Sequence, residues 1–259
     1  GGVLLLAMLF AAGSAAGATD LRPTVLPKPA FGPPVTSVTP SGPLRLALVS
    51  SRAREPGQGP GWPAAPAWAP ESFQGERLLT AIRQAGKIFL VYGPDFASTR
   101  YLVAADPRTR RLRYAFDFVN FAYAPEIVPG EREFVYEQLV WAREAADVLY
   151  VETAHSTYAR SSGGRNAYIT AIDLRTRKVL WQSPALVANA QTFVLAGDVL
   201  VTGYGFTAEP DYLFLLDRRT GRVLDRLAVP TGPETIALHG DRLTVRTYGH
   251  VVVAELRRG

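Results

Sequence analysis

The chain contains no cysteine, one methionine, three histidines and, among 28 basic residues, only the lysines Lys28, Lys87 and Lys178. Each scarcity excludes something. Without cysteine there is no disulfide, so packing must hold the fold, and no lipid can be attached to a cysteine behind an export signal. His155, His239 and His250 show no His-x-x-x-His spacing, so the sequence indicates no metal site. There is no Gly-x-Ser-x-Gly elbow, phosphate loop or zinc motif. The net charge is +5 and the pI about 9.6, values that raise the question of nucleic acid. Near-exclusive use of arginine beside abundant Ala, Gly and Pro reads instead as a GC-rich coding background, and no nucleic-acid partner is expected. No apolar run approaches the roughly 20 residues needed to span a bilayer, so no transmembrane segment is expected.

What remains is an ordinary globular composition over 259 residues, 47% hydrophobic and 20% charged. The apolar stretch Gly1–Ala12, followed by small residues ending in Ala16-Gly17-Ala18, has the form of a secretory signal peptide cut between Ala18 and Thr19. The alternatives are an uncleaved anchor or a buried strand. The missing initiator Met and basic leader read as a truncated N-terminus. The expected location is exported, periplasmic or secreted. Residues 19–70, rich in Pro, Gly and Ala, read as an extended linker. Within it Leu44, Leu46 and Leu48 alternate, which predicts one strand over 43–50.

From residue 71 to 259 the chain repeats. Ala171 to Trp181 returns as Leu215 to Asp225 and, earlier, as Ala104 to Tyr114. Each copy is an apolar strand, an Asp, a Thr three residues on, a position that wants Gly, a basic residue and a second strand. The turn residues are Asp106 and Thr109, then Asp173 and Thr176, then Asp217, Thr220 and Gly221. Such a turn is structural: the Asp side chain accepts from backbone N–H groups ahead of it and the Gly position supplies a positive φ. Arg110 and Arg177 depart from that ideal at a cost of about 1 kcal/mol each. Tight turns into alternating strands begin near Gly86, Ala146, Gly197 and Gly240. Apolar segments precede them; Glu76–Arg83 and Tyr136–Ala142 also fit helical spacing, but the repeat decides for strand. The prediction is an all-β fold, a β-propeller of about four four-stranded blades. The last unit lacks a fourth strand, and the isolated strand near Leu44 is the candidate to complete it. A closed ring predicts a monomer; an open half-propeller predicts a homodimer.

These residues resemble the pyrroloquinoline-quinone-like repeat of bacterial β-propellers, an apolar strand followed by Ala-x-Asp, two residues, Thr-Gly-Lys, two residues and Trp. Ala171, Asp173, Thr176, Lys178 and Trp181 match it, and Asp217, Thr220, Gly221 and Arg222 match a second time. The resemblance implies the fold more than a function, since the same repeat builds quinoprotein dehydrogenases and scaffolding lipoproteins. Quinone enzymes of this type have about eight blades and often a vicinal Cys pair, so no cofactor is expected here.

A four-stranded blade sends its A–B and C–D turns to one side, here studded with arginines, and its B–C loops and D–A connections to the other. The second side collects aromatic loops: Phe96, then His155 and Tyr158, then Tyr204 and Phe206, then Tyr248 and His250. Rings on loops above a rigid ring make a binding face, or else they cap the blade cores. The expectation is a non-catalytic binding or scaffold propeller of the cell envelope, its partner an envelope protein or a glycan. The alternative is a glycoside-active hydrolase or lyase at the channel mouth, using carboxylates among Asp95, Glu126, Glu152, Glu209 and Asp211.

Overall fold

A computed structural model describes residues 21–57, 61, 63–84, 86–123 and 127–259. The proposed signal peptide at 1–18 lies outside the described residues, as does Glu126. Strands β1 (Thr24–Val25) and β2 (Leu44–Ala53) precede the repeats. Blade 1 holds β3 (Ser72–Phe73), β4 (Glu76–Gln84), β5 (Lys87–Gly93), β6 (Tyr101–Ala105) and β7 (Leu112–Asp117). Blade 2 holds β8 (Gln138–Ala145), β9 (Val148–Ala154), β10 (Tyr168–Asp173) and β11 (Val179–Gln182). Blade 3 holds β12 (Val194–Ala196), β13 (Val199–Tyr204), β14 (Tyr212–Asp217) and β15 (Val223–Ala228). Blade 4 begins with β16 (Pro233–His239), β17 (Arg242–Thr247) and β18 (His250–Arg258).

Its fourth strand is β2. This strand pairs antiparallel with β18, from Ala53 opposite His250 to Leu44 opposite Arg258, so the architecture is a β-propeller of four blades closed by an N-terminal strand. Leu46 is buried in the core between blades 3 and 4. Leu48, predicted on the same side, is 51% exposed in this outermost strand. The two segments that also fit helical spacing are strands, β4 pairing with β5 and β8 with β9 along their lengths.

The second and third strands of blades 1 to 3 are buried on both faces, which is why they read as nearly unbroken apolar runs, whereas those of blade 4 alternate between buried and exposed positions. In β13, Leu200 and Tyr204 join the core shared with blade 2, whereas Val199 and Val201 join the core shared with blade 4. Blades 1 and 2 share Phe89, Leu102, Phe116, Leu149, Val151 and Ile172. Each side chain of this kind contributes roughly 1.5–3 kcal/mol by leaving water. The other face of blade 1 is covered by Ala65, Trp68, Ala69 and Phe73.

First strands of neighbouring blades approach one another, β4 with β8 and β12 with β16, but belong to different sheets and cannot share a ladder. Side chains bridge the seams instead. Gln84 exchanges two hydrogen bonds with the Glu144 backbone, its Nε2 donating at 2.6 Å and its Oε1 accepting at 2.9 Å. The Thr192 hydroxyl donates to Ile236 O at 3.0 Å and accepts from Ile236 N at 2.7 Å.

Over its described residues the Pro- and Gly-rich segment is seated against the blades, which composition did not predict. It runs along the outer edges of three blades before entering the fourth. β1 pairs in parallel with β7. Leu26 is fully buried, and Phe31 packs on Tyr123 and Tyr168 with ring centroids at 4.7 and 5.7 Å. Pro34 bridges to Ala185 on blade 2, and Ser41 N donates to Leu224 O on blade 3 at 2.9 Å. Few apolar anchors suffice because the blades supply the rest of each contact. No described helix is long and apolar enough to cross a membrane.

Candidate functional site

The three repeated Asp side chains have one geometry. Asp106 Oδ1 accepts from Arg108 N and Thr109 N at 2.9 and 3.1 Å, Asp173 Oδ1 from Arg175 N and Thr176 N at 2.8 Å each, and Asp217 Oδ1 from Arg219 N and Thr220 N at 2.9 and 2.8 Å. Hydrogen bonds from the Thr109 backbone and the Arg113 side chain bring Asp106 down to about 2. The residue four beyond each Asp is left-handed, with φ of 58° at Arg110, 58° at Arg177 and 72° at Gly221. These turns build the blades, and some of the arginines in and beside them are engaged within the molecule. Arg113 pairs with Asp106, Arg177 donates to Thr24, and Arg218 donates to Gly197 O and the Tyr150 hydroxyl. A cavity of about 1000 Å³ opens on this side, bordered by Trp181, Leu224, Arg218, Arg219 and Arg222.

The opposite, loop-bearing side has a different cavity, about 640 Å³ in volume, at the inner ends of blades 2, 3 and 4. Its wall forms where first strands begin and second strands end: Gln138 and His155 from blade 2, Gln191, Phe206 and Asp211 from blade 3, Glu234 and Tyr248 from blade 4. Tyr248 is 54% exposed. Phe206 meets Tyr158 edge to face, with centroids 4.9 Å apart.

Beside the cavity, loops of blades 2 and 3 are tied together. Glu209 Oε1 accepts from Ala159 N at 2.7 Å, and its other oxygen accepts the Tyr204 hydroxyl. The Tyr158 and Thr207 hydroxyls lie 3.2 Å apart. Asn189 clamps Gly205, donating to its carbonyl at 2.9 Å and accepting from its N–H at 3.1 Å. Gly205 must be glycine for a further reason: a Cβ there would lie 2.0 Å from Asp211 Oδ1. That oxygen is buried with no hydrogen-bond partner, since Asn189 already holds the adjacent N–H. Desolvation and the neighbouring Glu209 charge raise the Asp211 carboxyl to about 6. Glu234, by contrast, is held by Arg54 at 3.3 Å and Arg246 at 3.1 Å.

The aromatic residues singled out by sequence do not form one surface. Phe206, Tyr248 and His155 line the cavity, and Tyr158 supports Phe206. Tyr204 is buried between blades 2 and 3, where its hydroxyl serves Glu209. Phe96, 42% exposed, sits on the blade 1 loop and is not part of the cavity wall. His250 is half-buried, with Nδ1 lacking a hydrogen-bond partner. His155 is buried, and burial lowers its pKa to about 4. Its Nε2 lies 2.8 Å from Ser162 Oγ, and its Nδ1 accepts from Thr157 N at 3.4 Å. An accepting Nδ1 places the proton on Nε2, which therefore donates to Ser162 and cannot take its proton. The pair closes the 155–166 loop; it is not a nucleophile and base.

Two carboxylates lie deeper. Glu137 and Glu152 are buried; Glu152 has no hydrogen-bond partner, and Glu137 has only weak contacts from Thr153 and the Ala167 backbone. Burial raises Glu137 to about 8 and Glu152 well above the carboxylate range. Sequence patterning missed Glu137 because it precedes a strand start, and missed Asn189 and Gln191 because an amide before a short strand carries no motif. Among the described residues no group of three His, Asp or Glu side chains is placed to hold a metal.

No protein-family model matches the sequence, and no curated protein matches it. Among solved structures, the computationally designed Ika4 protein is similar at a TM-score of 0.42 and 11% identity, over 71% of this chain and 94% of that one. BamB from Moraxella catarrhalis is similar at a TM-score of 0.39 and 10% identity, over 78% of this chain and 61% of BamB.

Proposed function

We propose that this chain is a non-catalytic binding module of the bacterial cell envelope, exported by its apolar leader, which seats a protein partner on the loop-bearing side. The observation that carries the reading is the 640 Å³ cavity among three blades, with Phe206 and Tyr248 at its wall and Asn189 clamping the Gly205 backbone in the same wall. A rigid concave patch with aromatic anchors is the arrangement that concentrates binding energy at protein interfaces. The likeness of the turns to the pyrroloquinoline-quinone-like repeat supports placement among exported bacterial propellers. The side chains around the cavity also favour binding over turnover. Glu234 is committed to two arginines and His155 to Ser162, which leaves Asp211 as the one unpaired carboxylate in the cavity wall.

The test is affinity capture by the tagged chain from its native envelope, with quantitative mass spectrometry. A stoichiometric protein retained by the parent chain and lost from a Phe206→Ala, Tyr248→Ala double variant is expected. Capture unaffected by the double variant, or no stoichiometric partner, would overturn the reading.

A further inference from the structure

The two cavities differ in charge. The turn-side cavity has three arginines and two aspartates, Asp198 and Asp217, in its wall, whereas the loop-side cavity has no Lys or Arg in its wall although the chain carries 28 of them. The loop-side wall instead holds two carboxylates, one of which, Glu234, is already neutralised by Arg54 and Arg246. Asp211 is the uncompensated one. Its Oδ1 is buried and unpartnered, the N–H groups nearby are taken by Asn189 and Glu209, and Glu209 adds a second negative charge close by. Asp211 as a whole is half-buried, with Oδ1 shut off from solvent and unpartnered; a carboxylate so placed is costly, and a cation that meets it from the cavity side recovers part of that cost. Aromatic rings beside it, Phe206 with Tyr158 behind and Tyr248 across the wall, offer faces on which a cation is stabilised.

We infer that the cavity takes a cationic side chain, an arginine or lysine of the protein partner, with Asp211 as its counter-charge. This rests on the loop-side reading above and adds to it the chemistry of the group received. A guanidinium suits the site well, since its flat face stacks on aromatic rings while its N–H edge donates to a carboxylate. The aliphatic stem would lie along Pro233 and Val140 in the same wall.

Calorimetric titration of the full chain with N-acetyl-arginine amide and with N-acetyl-citrulline amide tests this directly, because citrulline keeps the shape and loses the charge. Saturable binding of the arginine compound is expected, with the citrulline compound weaker by at least ~tenfold. Asp211→Asn should bring arginine binding down to the citrulline level. If the two compounds behave alike, whether both bind or neither does, the inference is overturned. It is also overturned if Asp211→Asn binds arginine as the parent does. The comparison of compounds on the parent chain stands even if the variant folds poorly. Partner capture that survives in Asp211→Asn but fails in the Phe206, Tyr248 double variant would remove this inference and leave the loop-side reading intact.

Discussion

At Gly221 two requirements meet. Its φ is 72°, and a Cβ would lie 2.3 Å from Trp181 Cε3, because Trp181 of blade 2 lies on the blade 3 turn and donates to Arg218 O at 3.1 Å. Gly221→Ala should therefore cost about 2–4 kcal/mol in urea unfolding. Gly75→Ala, with a positive φ but open space around it, should cost about 1 kcal/mol. The repeat explains the aromatic as well. Tyr114 and Trp181 stand at the same position of the first two copies, and each reaches the next blade, Tyr114 through Glu144. The third copy has Asp225 there, because blade 4 takes its last strand from the N-terminus and presents no equivalent turn. Asp225 Oδ2 accepts from Leu46 N at 2.8 Å instead. Asp225→Ala should cost about 1–3 kcal/mol, read by chemical denaturation, by leaving that buried N–H unpaired. The Asp and Gly turns were legible in sequence because their bonds are local. The orphan Asp211 was visible only as one of several loop carboxylates, since its isolation depends on Asn189 and Gly205 brought up from a distance.

Glu137 gives a titration. Its folded pKa of about 8 lies above the unfolded value of about 4.3, so the native state keeps a proton that the unfolded chain releases. Its effect is to lower stability as pH rises from about 4 to 8, with no further change above. His155 acts with the opposite sign: its folded value of about 4 lies below the unfolded 6.5, so stability rises across that window. Glu137→Gln should remove the Glu137 share of the fall with pH, leaving the shares of Glu152 and Asp211, and stabilise the protein at pH 8 relative to the parent by roughly 2–5 kcal/mol. Thermal unfolding at pH 5 and pH 8 distinguishes the two proteins.

Among elements, the seams between first strands are the points where ladder bonding stops and single side chains take over. Thr192 satisfies both backbone groups of Ile236, so Thr192→Val, nearly isosteric, should cost about 2 kcal/mol in chemical denaturation. An unchanged midpoint would show that these groups find other partners. The strands themselves were readable from alternation and repeat, including β2 as the element that completes blade 4. The course of residues 21–43 along the outer edges was not, because Leu26, Phe31 and Pro34 are isolated in sequence and acquire meaning only from the blade surfaces they meet.

As a whole molecule, the propeller has two differently lined cavities, the turn-side one walled by three arginines and two aspartates and the loop-side one without a basic residue in its wall. The most direct measurement is hydrogen–deuterium exchange of the chain alone and in complex with its captured partner. Protection confined to peptides spanning 155–166, 204–211, 230–234 and 248–250 is the predicted result. Protection at the turns 174–178 and 218–222, with the loop side unchanged, would contradict the account.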